Sequence, residues 1–263
     1  MTFSRLNGAV LHWDATGPAG AVPVVFANSL GCDLRIWDTV AHELAPRYRV
    51  IRYDERGHGL SETTSPFAIA NHADDLRALL DMAGVEACAL VGISVGGMIA
   101  QSFAARYPDR VAALVLCDTA TRIGTAESWA ARIEVVERGG LAAVADAVLE
   151  RWFNPSFRQR CPSEWAGWRT MLLRMPADGY LAMCIAIRDA DLMTEAATIR
   201  APCLCVVGEQ DVSTPPELVR QLAATIPNAR FEVIEDAGHL PCIERPDPLA
   251  RLIRNHLAEF YHA

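Results

Sequence analysis

The sequence is poor in the features that would tie it to a metal, a membrane or a nucleic acid. Its eight cysteines are scattered and no two stand at C-x-x-C spacing, so neither a structural metal site nor a disulfide framework is expected. Cys88, Cys117, Cys203 and Cys205 lie in apolar runs, where cysteine behaves as a small hydrophobe. Positive charge is in deficit, with 24 Lys and Arg against 32 Asp and Glu and a net charge of −8. No nucleic acid or anionic membrane surface is expected as a partner, because either would need a basic face. An anionic substrate would have to be held by local arginines. No apolar run approaches the ~20 residues that cross a bilayer. The opening MTFSRLNGAVLHWD has no basic segment followed by an apolar one, so no secretory leader is expected, and a reduced cytoplasm fits best. Repeats, low-complexity tracts and charge blocks are also missing, and nothing in the chain specifies an oligomeric state.

What is present is a chain of 263 residues, 51% hydrophobic and 21% charged, enough for one large α/β domain. Apolar strand candidates recur at Val22–Ala27, Tyr48–Tyr53, Ala87–Ile93, Ala112–Cys117, Cys203–Val207 and Arg230–Ile234. Helical patterns such as Asn71–Ala83 and Gly97–Arg106 separate most of them. Continuous apolar strands alternating with helices predict a mostly parallel central sheet flanked by helices. Ala9–Asp14 is expected to add an antiparallel edge. Between Asp118 and Arg200 no strand is convincing, and helical runs appear at Ala126–Glu137, Leu141–Trp152 and Gly179–Ala190. That interval holds Trp129, Trp152, Trp165 and Trp168, four of the six tryptophans. The expected organisation is a core of residues 1–120 and 200–263 with a helical cap, 121–199, inserted between two strands.

The strongest chemical signal is Leu90-Val91-Gly92-Ile93-Ser94-Val95-Gly96-Gly97, a G-x-S-x-G directly after an apolar strand and before a helix. Small residues at 92 and 96 let a tight strand-to-helix turn close, exposing the serine at the sheet edge. An ordinary glycine-rich turn is the alternative, but the strand-and-helix setting favours Ser94 as a nucleophile. A serine hydroxyl needs a base, and the base needs an orienting carboxylate. On this architecture they follow in the order serine, acid, histidine. Asp211 comes just past the strand Cys205-Val206-Val207, and His239 ends the loop after Val233-Ile234. Asp211 competes with Glu209, Glu235 and Asp236, and its place beyond the strand end favours it. His58, in Asp54-Glu55-Arg56-Gly57-His58-Gly59, is the rival histidine, but it precedes the serine and its flanking glycines read as a structural turn. His12, His42, His72, His256 and His262 are expected at solvated surfaces.

Attack on a carbonyl develops an oxyanion, which needs two backbone N–H donors. Val95, directly after the nucleophile, is one candidate. The other is Leu30, in the turn that ends the apolar run of VVFANSLGCD, with Ser29 and Gly31 keeping the loop compact.

Together the elbow, the early loop, the Asp-x-Arg-Gly-His-Gly segment and the late Gly-His resemble the α/β-hydrolase superfamily. Asn28-Ser29-Leu30-Gly31 with Arg52-Tyr53-Asp54-Glu55-Arg56-Gly57-His58-Gly59 resembles the 3-oxoadipate enol-lactonases more narrowly. So do Cys117-Asp118-Thr119-Ala120, Ile123 to Trp129, Arg151-Trp152-Phe153 and Arg188 to Asp191. The resemblance implies hydrolysis of 3-oxoadipate enol-lactone to 3-oxoadipate, a step of aromatic degradation, without a cofactor. Its substrate is a small lactone bearing a carboxylate, so an arginine near the pocket is expected. Arg122 and Arg132 are the candidates, the latter sharing a helical face with Trp129 and Val136. Their alternative is a salt bridge with Glu127 or Glu134, or a snorkelling surface position. Trp129 and Trp152 are candidate substrate contacts with packing as the alternative. Attack by Ser94 and attack by a water with His239 as base both suit these residues. A carboxylesterase, a carbon–carbon bond hydrolase, a perhydrolase and a ligand receptor on the same scaffold are the competing readings.

Overall fold

In the computed structural model, which describes residues 2–65 and 67–260, the chain builds an eight-stranded sheet. The strands are β1 (Thr2–Leu6), β2 (Ala9–Thr16), β3 (Pro23–Ala27), β4 (Arg49–Tyr53), β5 (Cys88–Ile93), β6 (Val111–Cys117), β7 (Cys203–Gly208) and β8 (Arg230–Ile234). They lie in the order β1-β2-β4-β3-β5-β6-β7-β8. From β4 to β8 every pairing is parallel, whereas β2 runs antiparallel to both β1 and β4. This is the expected α/β fold. The continuous apolar composition of β5, CALVGI, follows from its place at the sheet centre, where all six residues are buried.

The edge differs from expectation. Ala9–Thr16 is antiparallel but internal, because Thr2–Leu6 pairs outside it as a hairpin. The turn is Asn7-Gly8, both at positive φ (46° and 82°), a two-residue hairpin signal that the sequence displayed.

Helices α1 (Asp38–Leu44), α2 (Ile69–Met82) and α3 (Val95–Arg106) follow β3, β4 and β5. Between β6 and β7 come α4 (Ala126–Gly139), α5 (Ala145–Trp152), α6 (Phe157–Arg160), α7 (Pro162–Leu173), α8 (Ala177–Asp189) and α9 (Met193–Thr198). Then α10 (Pro216–Thr225) joins β7 to β8, and α11 (Pro241–Glu244) and α12 (Pro246–Ala258) close the chain. In α12 the buried Leu249, Ala250, Ile253 and Leu257 form one stripe at helical spacing. Among the described residues no single helix is long and apolar enough to cross a membrane.

Three histidines expected at the surface are buried instead: His12, His72 and His256. His12 is covered because β1 lies outside β2, and its Nδ1 lies 2.7 Å from Asp54 Oδ2. His72 faces inward from α2, and His256 from α12, where its Nδ1 contacts Arg230 at 2.6 Å. His42 is exposed as expected, and His262 lies outside the described residues. The Asp54-to-Gly59 segment is a structural junction. Asp54 accepts backbone N–H groups from Leu34 and Leu60 at 2.8 Å each. Arg56 forms a buried two-bond pair with Asp75 at 2.7 and 2.9 Å. A Cβ at residue 59 would lie 2.1 Å from Asp54 Oδ2, which explains Gly59.

Candidate active site

Ser94 stands between β5 and α3 with φ 57° and ψ −121°, a conformation that costs on the order of 1–3 kcal/mol for a residue with a side chain. Neighbouring hydrogen bonds hold it there: Ser94 N–H donates to Cys117 O at 3.0 Å, and Thr119 Oγ1 donates to Ser94 O at 2.6 Å. The closeness of the turn dictates its glycines. A Cβ at 92 would meet Gly96 O at 2.3 Å, and one at 96 would meet Ala27 O at 2.4 Å. Val95 is the first residue of α3, where the N–H has no acceptor within the helix and points out of its N-terminus.

Asp211 and His239 sit on the loops after β7 and β8, and parallel neighbours bring those loops to the same end of the sheet. His239 Nδ1 donates to Asp211 Oδ2 at 2.8 Å, both side chains being buried. Asp211 also accepts from Ser213 N at 2.7 Å, Thr214 N at 3.2 Å and Thr214 Oγ1 at 2.5 Å. Burial alone would raise its pKa, but His239 and these bonds outweigh it and hold the carboxyl down at about 2. The rivals are elsewhere: Asp236 pairs with Arg245 at 2.8 Å, and Glu209 is exposed.

The NSLG loop is locked to the serine turn. Gly96 N–H donates to Asn28 O at 2.9 Å, and Cys32 N–H closes the loop onto Ser29 O at 3.0 Å. Gly31 has φ 78°, and a Cβ there would lie 2.7 Å from Leu172 Cδ1 of α7. Leu30 is therefore held between the sheet end and the helices above it.

Ser94 and His239 line one cavity of about 340 Å³, closed over by α4, α5 and α8. Ser29 and Leu30 contribute to its floor, Trp129, Arg132 and Trp152 to its walls. Trp129 Nε1 donates to Ile123 O at 2.6 Å, so its ring is fixed by its own loop. The two candidate arginines separate cleanly. Arg132 lies over the Trp129 ring, 4.7 Å from its centroid, and no acidic partner holds it among the described residues. Arg122 is outside the cavity, its side chain 56% exposed and 3.8 Å from Asp191, so its expected role in substrate binding is corrected. Asp191, in the short connection between α8 and α9, captures it, which no local pattern foretells. Arg151 lines the cavity and was missed, lacking an apolar-face signal.

Three further polar groups were missed. Glu55 lies buried beneath Asn28, Thr214 braces Asp211, and Asp118 at the end of β6 faces Asp211. Asp118 ends an apolar strand as Asp54 does, and that shared position was the available signal. Asp118, Asp211 and His239 place one potential ligand atom each within 4.8 Å of one another. A cation there would have to displace the Asp211–His239 bond and the Ser213 and Thr214 donors, so the donor set suits a hydrogen-bonded relay better. A second cavity, lined by His12, Arg35, Arg52 and Arg174, is apart from Ser94, and its Arg35 and Arg52 are paired with Asp33, Asp14 and Asp38.

A serine on a strained strand-to-helix turn, with an acid–histidine pair on later loops of a parallel sheet, defines the α/β-hydrolase class. Residues 24–252 match the model of the Alpha/beta hydrolase family, and the chain belongs to that family of enzymes. Within it, the chain is 33% identical over 250 residues to 3-oxoadipate enol-lactonase 2 of Acinetobacter baylyi, covering 95% of this chain and 91% of that one. It is also similar to the solved enol-lactonase from Burkholderia xenovorans LB400, with a TM-score of 0.95 and 36% identity over 98% of this chain and 100% of that chain. A thermophilic esterase from Thermogutta terrifontis, solved with malate bound, has a TM-score of 0.92 and 31% identity over 98% of both chains. The resemblance to enol-lactonases read from the residues agrees with these relatives.

Proposed function

We propose that the protein hydrolyses a small carboxylate-bearing enol-lactone, 3-oxoadipate enol-lactone, to 3-oxoadipate in the cytoplasm, with residues 121–199 acting as a cap. The observation that carries this reading is the shared cavity: Ser94 and His239 line it together with Arg132, which has no acidic partner among the described residues. Its chemistry suits a small anionic ester. Two relatives named enol-lactonases support the lactone, and the malate in the Thermogutta esterase supports a carboxylate ligand.

In this mechanism His239 takes the proton of Ser94 Oγ as the oxygen attacks the lactone carbonyl. Asp211 orients the ring and stabilises the imidazolium. The N–H groups of Leu30 and Val95 hold the oxyanion. The ring C–O bond then breaks, its enol oxygen takes the proton from His239, and the enol tautomerises to the 3-oxo acid. Water deprotonated by His239 then attacks the Ser94 ester, and His239 returns the proton to Ser94 Oγ as the second carboxylate is released. An enol is a good leaving group, so positioning and oxyanion stabilisation matter more here than strong acid catalysis. Hydrolysis transfers no electrons, so protein groups and water suffice.

The test is turnover of 3-oxoadipate enol-lactone by purified protein, followed by loss of enol-lactone absorbance, beside a neutral aryl ester and a meta-cleavage product. Enzyme-like turnover of the lactone that disappears in Ser94→Ala supports the reading. Good ester hydrolysis with no lactone turnover sinks it in favour of a general esterase.

A further inference from the structure

Asp118 terminates β6 with its backbone in the left-handed region, φ 46°, and with no exposed surface. Its Oδ1 accepts the Gly208 N–H at 2.8 Å, while its Oδ2 has no hydrogen-bond donor among the described residues. The nearest acid is Asp211: one oxygen of each, with one ring nitrogen of His239, lies within 4.8 Å. Two carboxyls this close and this buried do not both ionise, so one of them keeps a proton.

The hydrogen bonds decide which. Asp211 accepts from Ser213 N, Thr214 N, Thr214 Oγ1 and His239 Nδ1, all of which favour its anion. Among the described residues Asp118 accepts from Gly208 N alone. Of the other titratable groups facing Asp118, Glu244 and Cys242 of α11 and Cys117 of β6 cannot be cationic, and His239, which can, gives its Nδ1–H to Asp211. Burial, and then repulsion from Asp211, push the Asp118 carboxyl well above the usual carboxylate range.

We propose that Asp118 is a positioning residue held as a neutral acid, its O–H turned toward Asp211, so that Asp211 alone carries the negative charge that orients His239. The positioning part rests on the function proposed above; the protonation itself does not. Asp118 acts through Asp211 and touches neither substrate nor Ser94. Its proton stays in place through the reaction, since Asp211 already holds its charge against four donors.

Two measurements test this. Infrared difference spectra of wild type minus Asp118→Asn at pH 7 read the proton directly. A protonated-carboxyl C=O band belonging to wild type alone is expected; Glu55, whose carboxyl is shared by both proteins, cancels. Absence of the band overturns the proposal, whether or not the protein hydrolyses anything. Kinetics then read the positioning. Asp118→Ala removes the donor, and kcat is expected to fall on the order of tenfold to a hundredfold with KM nearly constant. Asp118→Asn keeps a donor and removes no charge, so it restores most of kcat and leaves the acid limb of kcat/KM where it was. A limb displaced to lower pH in Asp118→Asn would mean that a negative charge beside His239 had been lost, and would overturn the proposal. If Asp118→Ala does not fold, the Asn variant carries both readouts. Wild type inactive on every lactone and ester would refute the proposed function, and the infrared band would still decide the state of Asp118.

Discussion

Glu55 lies beneath Asn28 and accepts its backbone N–H at 2.6 Å and one side-chain Nδ2–H at 2.7 Å, the other Nδ2–H going to Tyr53 O at 2.7 Å. One buried carboxyl thus fixes the residue that leads into the Ser29-Leu30 turn. Burial raises this carboxyl to about 8, against the lowering effect of the Asn28 hydrogen bonds. The folded-state value lies above the 4.5 of an unperturbed group, so the folded protein holds a proton that the unfolded chain releases. That contribution is complete below about pH 4.5 and is lost as pH rises to about 8. Denaturant titrations at several pH values from 5 to 8.5 should show wild-type stability declining relative to that of Glu55→Gln across this window. Identical slopes in the two proteins would refute the buried, proton-holding Glu55. Asn28→Ala, which removes the Nδ2 bonds to Glu55 and Tyr53 O and unseats the turn, should cost about 1–3 kcal/mol and lower kcat more than it raises KM.

Asp211→Asn keeps the shape of the acid but cannot hold His239 in the tautomer that leaves its other ring nitrogen free as a base. A loss on the order of 10³–10⁴ in kcat is expected, with little change in melting temperature. Activity near wild type in this variant would remove Asp211 from its proposed role.

The two arginines offer a paired comparison. Arg132→Met should weaken kcat/KM for the anionic lactone by roughly tenfold to a hundredfold, and by much less for a neutral aryl ester of similar size. Arg122→Met, outside the cavity and already paired with Asp191, should stay within about twofold on both substrates. Equal losses on the charged and neutral substrates in Arg132→Met would show that the guanidinium packs rather than recognises.

His72 is buried in α2 with neither ring nitrogen hydrogen-bonded among the described residues, and burial lowers its pKa to about 3. The unfolded chain takes up a proton near 6.5 that the folded protein refuses, so stability present above about 6.5 is lost as pH falls toward 3. His72→Leu removes this penalty and an unsatisfied buried polar group together. It should be about as stable as wild type at pH 8 and increasingly more stable below pH 6, as read by urea midpoints. An advantage that does not grow with acidity would count against a buried neutral His72.

Much of this arrangement was legible before any tertiary contact was known. The apolar runs located six strands to within a residue or so, the inner ones because parallel strands covered on both faces must be largely apolar; β8, at the edge, is mostly exposed. The G-x-S-x-G turn was readable because Gly92 answers a backbone clash with Gly96, only four residues away, although Gly96 answers Ala27, which only the fold brings near. The β1 hairpin was passed over because Thr2–Leu6 is an edge strand, half polar and mostly exposed, and only the Asn7-Gly8 turn announced it. The buried His12, His72 and His256 were misread because burial of one residue on an amphipathic element depends on what is packed over it.

The sequence by itself determined the alternation of strands and helices, the chain order of Ser94, Asp211 and His239, and the loop that bears Leu30. These follow from local periodicity, turn sterics and the chain order of loops at one sheet edge. Only the tertiary structure decided which arginine faces the cavity, that Glu55 anchors Asn28, and that Asp118 meets Asp211. The physical reason is adjacency in the sheet. β3 lies between β4 and β5, and β6 beside β7, so residues remote in the chain share one buried, low-dielectric edge where each unpaired carboxyl or amide must find a partner.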